Sequence, residues 1–393
     1  MKLNRCFYIF FCLSLAVLFG GCGKSKEVQE TLEKEEQVRQ ENVENTQAPQ
    51  AQESQSQETQ TQAEDADDVP YIVLDEKHDY DIIATKHFQN VKSIRLDFGI
   101  DIACKDFDVR ESRITIKAGA FQNCSQLQQI ILDGFCYNNF EIEKGAFDGC
   151  NKELVVYCDK QLYPDLWKQF SEWGLQCKDA ADMKSESGDI DSRLQEMTGL
   201  TTDGYYAMDG NGRLLGYSES IFAEKKTGKA ESTVMRVPLP EETVSIGSGI
   251  FNNHTANTIV IPAGVEEIED SVFSSMAFLK KVKFAGNKLK KIGKGAFAAN
   301  VAIRKMEFPD GLEEIESGNI VAKKVILPAS VKRAGLDLGP AVKKIYVYGK
   351  DTEFYEDNVL SYEQSGIEIF CQKGSKAEKF FREKGGFKIK YIR

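Results

Sequence analysis

Residues 259–281 read IVIPAGVEEIEDSVFSSMAFLKK, residues 282–305 VKFAGNKLKKIGKGAFAANVAIRK, and residues 306–324 MEFPDGLEEIESGNIVAKK, followed at 325–335 by VILPASVKRAG. The same signals recur along this stretch: a short apolar run, a Pro or Gly turn, an isoleucine at 268, 292 and 315, and a small-small-Phe triplet ending at Phe273 and Phe297, as at Phe251 just before it. Spacings of 22 to 24 residues are too short for an independent domain. They predict a solenoid, in which a unit cannot bury its own apolar face and only stacking completes a core.

The first half carries the same triplet at Gly119-Ala120-Phe121 and Gly145-Ala146-Phe147, followed by Asn123-Cys124 and Gly149-Cys150. These residues resemble the BspA-like leucine-rich repeats, whose unit runs as a strand, Pro-x-x-Val-x-x-Ile, then Gly-Ala-Phe-x-x-Cys-x-x-Leu. The resemblance extends over about 240 of the 393 residues. It implies a mainly β chain with short helices and a binding or adhesion role at a cell surface. Asn319 and Ile320 depart from it, standing where Ala-Phe is expected, in a unit only 19 residues long between Pro309 and Pro328. Residues 72–113 fit loosely.

Two closing segments match each other: LVVYCDKQLYPDLWKQFSEWGLQCKD, ending at Asp179, and IEIFCQKGSKAEKFFREKGGFKIKYI, ending at Ile392. Each predicts a last strand, a short amphipathic helix and a final strand, the polar-faced cap that a solenoid end requires. Leu162, Leu166, Phe170 and Trp173 fall at helical spacing, which assigns both tryptophans to cap packing. The expected organisation is a first array with cap over 70–179, a hinge over 180–199, and a second array over 200–393 opened by a hairpin turning at Asp209-Gly210-Asn211-Gly212.

Upstream, Lys2 and Arg5 precede an apolar run from Phe7 to Phe19, which breaks at Gly20, Gly21 and Cys22. The run is short of the roughly 20 residues that a membrane span needs and has the length of a signal peptide. It resembles a bacterial lipoprotein signal over 1–21, with Cys22 as the lipidated residue, although Phe19 replaces the usual leucine. An ordinary secretory signal is the alternative, and both readings export the chain. Residues 22–69 then form a tether: 23–69 hold 13 acidic residues, 4 basic residues, 10 glutamines and no aromatic, a composition that predicts a disordered stalk with transient helix from Glu27 to Glu44. Of the net charge of −11, the leader contributes +2 and the tether −9, which leaves −4 on residues 70–393. A near-neutral body with no basic excess excludes a general nucleic-acid binder.

Signs of chemistry are sparse. The three histidines, His78, His87 and His254, have neither metal-ligand nor nucleophile spacing, and no phosphate loop or Gly-x-Ser-x-Gly is present. The DGNG at 209 begins like a calcium loop, but Arg213 occupies a ligand position and the twelfth place has no glutamate. A carboxylate pair cannot be excluded by residue type among 61 acidic residues, yet a short open solenoid seldom forms a closed pocket. The expectation is therefore no enzyme, no cofactor and no metal. Downstream of Cys22 stand cysteines 104, 124, 136, 150, 158, 177 and 371, without a C-x-x-C. Cys124 and Cys150 hold one repeat position in consecutive coils, within disulfide range. The family resemblance makes that position interior and favours free thiols.

The second strands carry Glu266-Glu267, Lys290-Lys291, Glu313-Glu314 and Lys332-Arg333, a sign that alternates coil by coil and predicts a structural ladder. The first strands differ. Inward Val282, Phe284, Met306, Phe308, Val325, Leu327, Ile345 and Val347 turn Lys281, Lys283, Lys305, Lys324 and Lys344 outward, relieved only by Glu307 and joined by Tyr346 and Tyr348. This column is the candidate face for an anionic partner, against the alternative that lysine simply blunts an exposed sheet. The expected function is adhesion, with the chain lipid-anchored at the bacterial surface and bound to a protein or glycan on host matrix or other cells. A structural envelope scaffold and, behind it, a surface hydrolase are the alternatives.

Overall fold

A computed structural model of the protein describes residues 69–75, 81–97, 114–122, 124–133, 140–183, 193, 195, 197–218, 237–356 and 366–392. All fall within the compact unit Ala63–Arg393. The leader, Cys22, the tether up to residue 68, His78, Cys104, Cys136 and much of the 180–199 segment lie outside the described residues.

The second half is the predicted solenoid. Its second strands, Ser245–Ile246, Glu267–Ile268, Lys291–Ile292, Glu314–Ile315, Arg333–Gly335 and Glu353–Tyr355, pair in parallel in that order. Their register sets Ile246, Ile268, Ile292, Ile315, Ala334 and Phe354 in one row, all buried. Beneath them the triplet phenylalanines stack ring on ring, Phe251 on Phe273 and Phe273 on Phe297, each pair at 5.4 Å. Tyr217 extends the stack at 5.3 Å from Phe251. The glycine that opens each triplet has a backbone reason: Gly249, Gly295 and Gly318 stand at φ of 72°, 62° and 85°, where a side chain is disfavoured, and Ser271 takes the position at 57°.

The 19-residue coil closes with a side chain instead of main chain. In the longer coils the N–H of each stacked phenylalanine donates to a carbonyl of the next coil, Phe251 to Val272 at 2.9 Å and Phe273 to Ala296 at 2.7 Å. Phe297 N–H donates to Asn319 Oδ1 at 2.9 Å, and Asn319 Nδ2 donates to the Gly293 and Glu316 carbonyls. The departure from Ala-Phe is thus the device that fits a short coil to the stack.

The two halves share a 12-stranded sheet. Tyr71–Asp75 pairs antiparallel with Asp81–Lys86 and parallel with Tyr206–Asp209. The latter strand turns through the predicted hairpin to Arg213–Tyr217, which pairs with Ser245–Ile246. Alternate residues of the junction strands serve different cores: Tyr71, Val73, Tyr206 and Met208 enter the second-half core, and Ile72, Leu74, Tyr205 and Ala207 the first. The apolar runs YIVL and YYAM are therefore buried on both faces, as such runs ordinarily are. At the hairpin, Arg213 grips Glu269 through two nitrogens at 2.5 and 2.9 Å, while Ser248 donates to the same carboxylate. Burial pushes the Glu269 carboxyl up, and these donors outweigh it and draw the group down.

Both caps take the predicted form. Helix α1 spans Pro164–Glu172 and buries Leu166 and Phe170, with Trp173 packed at 6.0 Å from the Phe170 ring. One assignment is corrected: Leu162 is 57% exposed, because the chain bends before Pro164 and Tyr163 is buried in its place. Helix α2 spans Lys376–Lys384 and opens on Ser375 as N-cap, whose Oγ accepts the Glu378 N–H, while the Glu378 carboxylate reaches back one residue further to accept the Gly374 N–H. Among the described residues no helix is long and apolar enough to cross a membrane.

Candidate functional site

The first strands of the second half form two groups, Thr258–Ile261 with Lys281–Phe284, and then Lys305–Glu307, Lys324–Leu327, Lys344–Val347, Glu368–Cys371 and Lys388–Tyr391. Ladder pairing is interrupted between Lys281–Phe284 and Lys305–Glu307, where the Phe284 and Phe308 rings meet at 6.1 Å. Period-two alternation places the residues as predicted. Met306, Phe308, Val325, Leu327, Ile345 and Val347 are buried and Val282 and Phe284 partly so, while the five lysines face outward. Register aligns Lys305, Lys324 and Lys344 in one straight row that continues to Glu368 and Lys388.

The column is wider than the strands alone predict. Each lysine that opens a strand follows another cation, giving the doublets Lys280-Lys281, Arg304-Lys305, Lys323-Lys324 and Lys343-Lys344. Main-chain bonds from Lys324 N–H to the Arg304 carbonyl and from Lys343 N–H to the Lys323 carbonyl put the preceding residues in register too. Arg304, Lys323 and Lys343 are all exposed. The sequence carries this signal as K/R-K at the start of four first strands, one residue before the alternation within the strand begins.

Its compensation also differs from expectation. Lys305 bridges Glu307 as predicted, but Glu368 on the cap strand pairs with both Lys344, at 3.2 Å, and Lys390. These two cations hold the Glu368 carboxyl below its usual range, Lys390 foremost. Lys280, Lys281, Lys283, Arg304, Lys323, Lys324 and Lys343 have no ion-pair partner among the described residues. Tyr346 stacks on Phe370 in the neighbouring strand, with centroids 4.3 Å apart and planes 3° from parallel. Lys324 Nζ covers the outer face of Tyr346 at 4.5 Å, and Lys344 and Lys390 lie 5.9 and 5.4 Å from the Phe370 ring. Tyr348 is 43% exposed.

The other sheet provides a contrast within the same coils. Register places Glu267, Lys291, Glu314, Arg333 and Glu353 in one row of alternating sign. Lys291 reaches Glu267 and Glu316 at 3.5 and 3.1 Å, Lys332 reaches Glu313 at 2.5 Å, and Lys376 reaches Glu353 at 2.6 Å. Opposite charge one strand away is therefore the local rule on the second strands, and the first strands break it.

The remaining constellations resolve into structure. Asp209 Oδ1 accepts from the Asn211 and Arg213 N–H groups, each at 2.8 Å, which is the chemistry of a tight turn. His87 meets Glu242 at 2.6 Å, and His254 packs edge-on against Phe251, with burial lowering its tendency to protonate. Among the described residues no three His, Cys, Asp or Glu side chains gather to hold a metal ion. Cys124, Cys150, Cys158, Cys177 and Cys371 are free thiols. Cys124 and Cys150 face each other between coils, and hydrogen bonding within the pair draws the Cys124 thiol down to about 7 and pushes Cys150 up. Burial pushes Cys158 up to about 12 and Cys177 to about 11.

The family model for the BspA type leucine rich repeat region matches in six copies over residues 80–163 and 230–333. The matched residues are BspA-type leucine-rich repeats. The match covers units of both halves and, from residue 80, the loosely fitting stretch before residue 113. Among solved structures, the repeats are similar to the pneumococcal vaccine antigen PcpA, at 13% identity and a TM-score of 0.35 over 77% of this chain and 71% of that one. They are also similar to a leucine-rich repeat protein from Bacteroides ovatus, at 16% identity and a TM-score of 0.27 over 83% and 76% of the two chains. A leucine rich cell surface protein from Faecalibacterium prausnitzii shares 11% identity and a TM-score of 0.27, over 67% and 88%. No curated protein sequence matches the chain.

Proposed function

We propose that this BspA-type repeat protein is a non-catalytic lipoprotein of the bacterial cell surface, anchored through Cys22, that attaches to a macromolecular partner on host matrix or other cells. The observation that carries this reading is the first-strand face, where Lys281, Lys283 and Lys324 stand outward without carboxylates although the same coils neutralise their second strands. Like charges one strand apart cost free energy, and of these three lysines only Lys324 has a structural return, its contact with the Tyr346 ring. Tyr346 and Tyr348 adjoin the cations and add apolar contact area beside them.

The test combines location and binding. Fatty-acid labelling of the wild type and of Cys22→Ala reports the anchor, and equal labelling of both removes it. Protease shaving of intact cells reports exposure of the folded body. The triple variant Lys281→Glu, Lys283→Glu, Lys324→Glu is expected to fold, since all three side chains point outward, and to lose attachment. Unchanged attachment with intact folding rejects the face and leaves the scaffold role, for which cross-linking in intact cells would capture a partner protein.

A further inference from the structure

We infer that the partner of this face is a linear anionic polysaccharide, bearing carboxylate or sulfate groups and lying across the strands along the row of basic doublets. The inference rests on the binding role proposed above and names the chemistry of its ligand.

The geometry of the cations carries the argument. Lys305, Lys324 and Lys344 stand in register on adjacent strands, so their stems repeat at the strand spacing of about 4.8 Å. Arg304, Lys323 and Lys343 form a second row beside them at the same repeat. A linear polysaccharide that carries an anion on each ring can lay those anions along both rows. An extended acidic peptide offers fewer anions to such a row, because its same-face carboxylates recur at about 6.7 Å and alternate ones turn away.

The aromatic pair separates sugar from nucleic acid. Single strands are held by bases stacked on open ring faces. Here Tyr346 and Phe370 cover each other, and Lys324 and Lys390 lie over their outer sides. The exposed Tyr348 remains, with its ring and hydroxyl open to a sugar. The folded body, at −4 over residues 70–393, has no general pull on polyanions, so retention requires this local band.

The experiment applies the full chain to immobilised heparin and to dextran sulfate, with neutral dextran as the blank, and follows elution against salt. The wild type is expected to bind and to elute with salt. A variant with Lys280, Lys281, Lys323 and Lys324 changed to Gln is expected to lose retention at physiological salt, and its slope of log affinity against log salt should fall by about 4, near one per cation removed. Changing Lys144, Lys152, Lys168 and Lys379 to Gln alters net charge equally away from the face and is expected to leave both readouts unchanged. Absence of binding to either polysaccharide, equal loss in the two variants, or equal competition by polyglutamate or single-stranded DNA overturns the polysaccharide assignment. Attachment to cells, measured in parallel, separates the two levels. If the face variant loses attachment while no polysaccharide binds, the partner is of another class and the binding face survives; if attachment is unchanged, the face itself fails.

Discussion

Replacing Asn319 by Ala tests whether one side chain stands in for the residues missing from the 19-residue coil. Asn319 is fully buried, accepts from Phe297 N–H, and donates to the Gly293 and Glu316 carbonyls at 2.8 and 2.7 Å. Truncation strands the Phe297 N–H and the Glu316 carbonyl, while the Gly293 carbonyl keeps a long bond from Ala296 N–H at 3.4 Å. An unsatisfied buried group costs about 1–3 kcal/mol, so two of them and a third weakened bond predict a loss of about 3–5 kcal/mol. That is a large share of the 5–15 kcal/mol typical of a folded domain. Asn319→Asp keeps the acceptor but loses both donations and buries a charge, so it should destabilise at least as much. The exposed Asn287→Ala serves as control, with an expected change within about 0.5 kcal/mol. Urea unfolding followed by far-UV circular dichroism measures all three. Trp167 and Trp173 both sit in the first-half cap, so fluorescence tracks that half separately. A loss below about 1 kcal/mol for Asn319→Ala, or one equal to that of Asn287→Ala, would refute the substitution of side chain for main chain.

Three further outcomes follow from burial and hydrogen bonding. Tyr206 lies fully buried in the junction sheet with no partner for its hydroxyl among the described residues. Tyr206→Phe is therefore expected to raise stability by about 1–2 kcal/mol in the same urea assay, and a loss would show that the hydroxyl is satisfied. The Tyr391 hydroxyl, followed by Gly374 N–H and Arg382, holds the Glu378 carboxyl at about 2, against an ordinary value of 4.5. A depressed value stabilises the fold above about pH 4.5, and that contribution is lost as pH falls toward 2, so Glu378→Gln should flatten this part of the acid-unfolding curve. Burial holds the Cys158 thiol at about 12, so iodoacetamide at pH 8 should modify it only after unfolding, and mass spectrometry showing native modification would contradict its packing.

What the sequence made legible was whatever it repeated. Ile268, Ile292 and Ile315 and the three stacked phenylalanines recur at one period, and periodicity fixes both stacking and facing. The sheet that joins the halves was not legible, because Tyr71 finds Tyr206 across a separation that no local pattern encodes. Nor did the repeat reveal Glu368 as a neighbour of the lysine row. The segment IEIF was assigned to the cap, and only the parallel pairing of Lys344–Val347 with Glu368–Cys371 brings that carboxylate beside Lys344.

The strongest case for a binding face comes from comparing the two sheets of one solenoid. Both inherit the same coil spacing, the same exposure to water and the same opportunity to alternate charge. On the second strands the row reads Glu, Lys, Glu, Arg and Glu, and each cation finds a carboxylate one coil away. On the first strands four doublets keep one sign, and only Lys305 and Lys344 are bridged by the outward carboxylates Glu307 and Glu368. Solubility does not account for the difference, since an alternating ladder is equally charged and lacks the repulsion. A partner that brings its own anions does account for it, because binding converts the repulsion among the doublets into attraction. Screening by salt weakens both terms together, and for that reason the salt slope, rather than affinity at a single ionic strength, distinguishes a polyanion site from lysines that merely decorate a sheet.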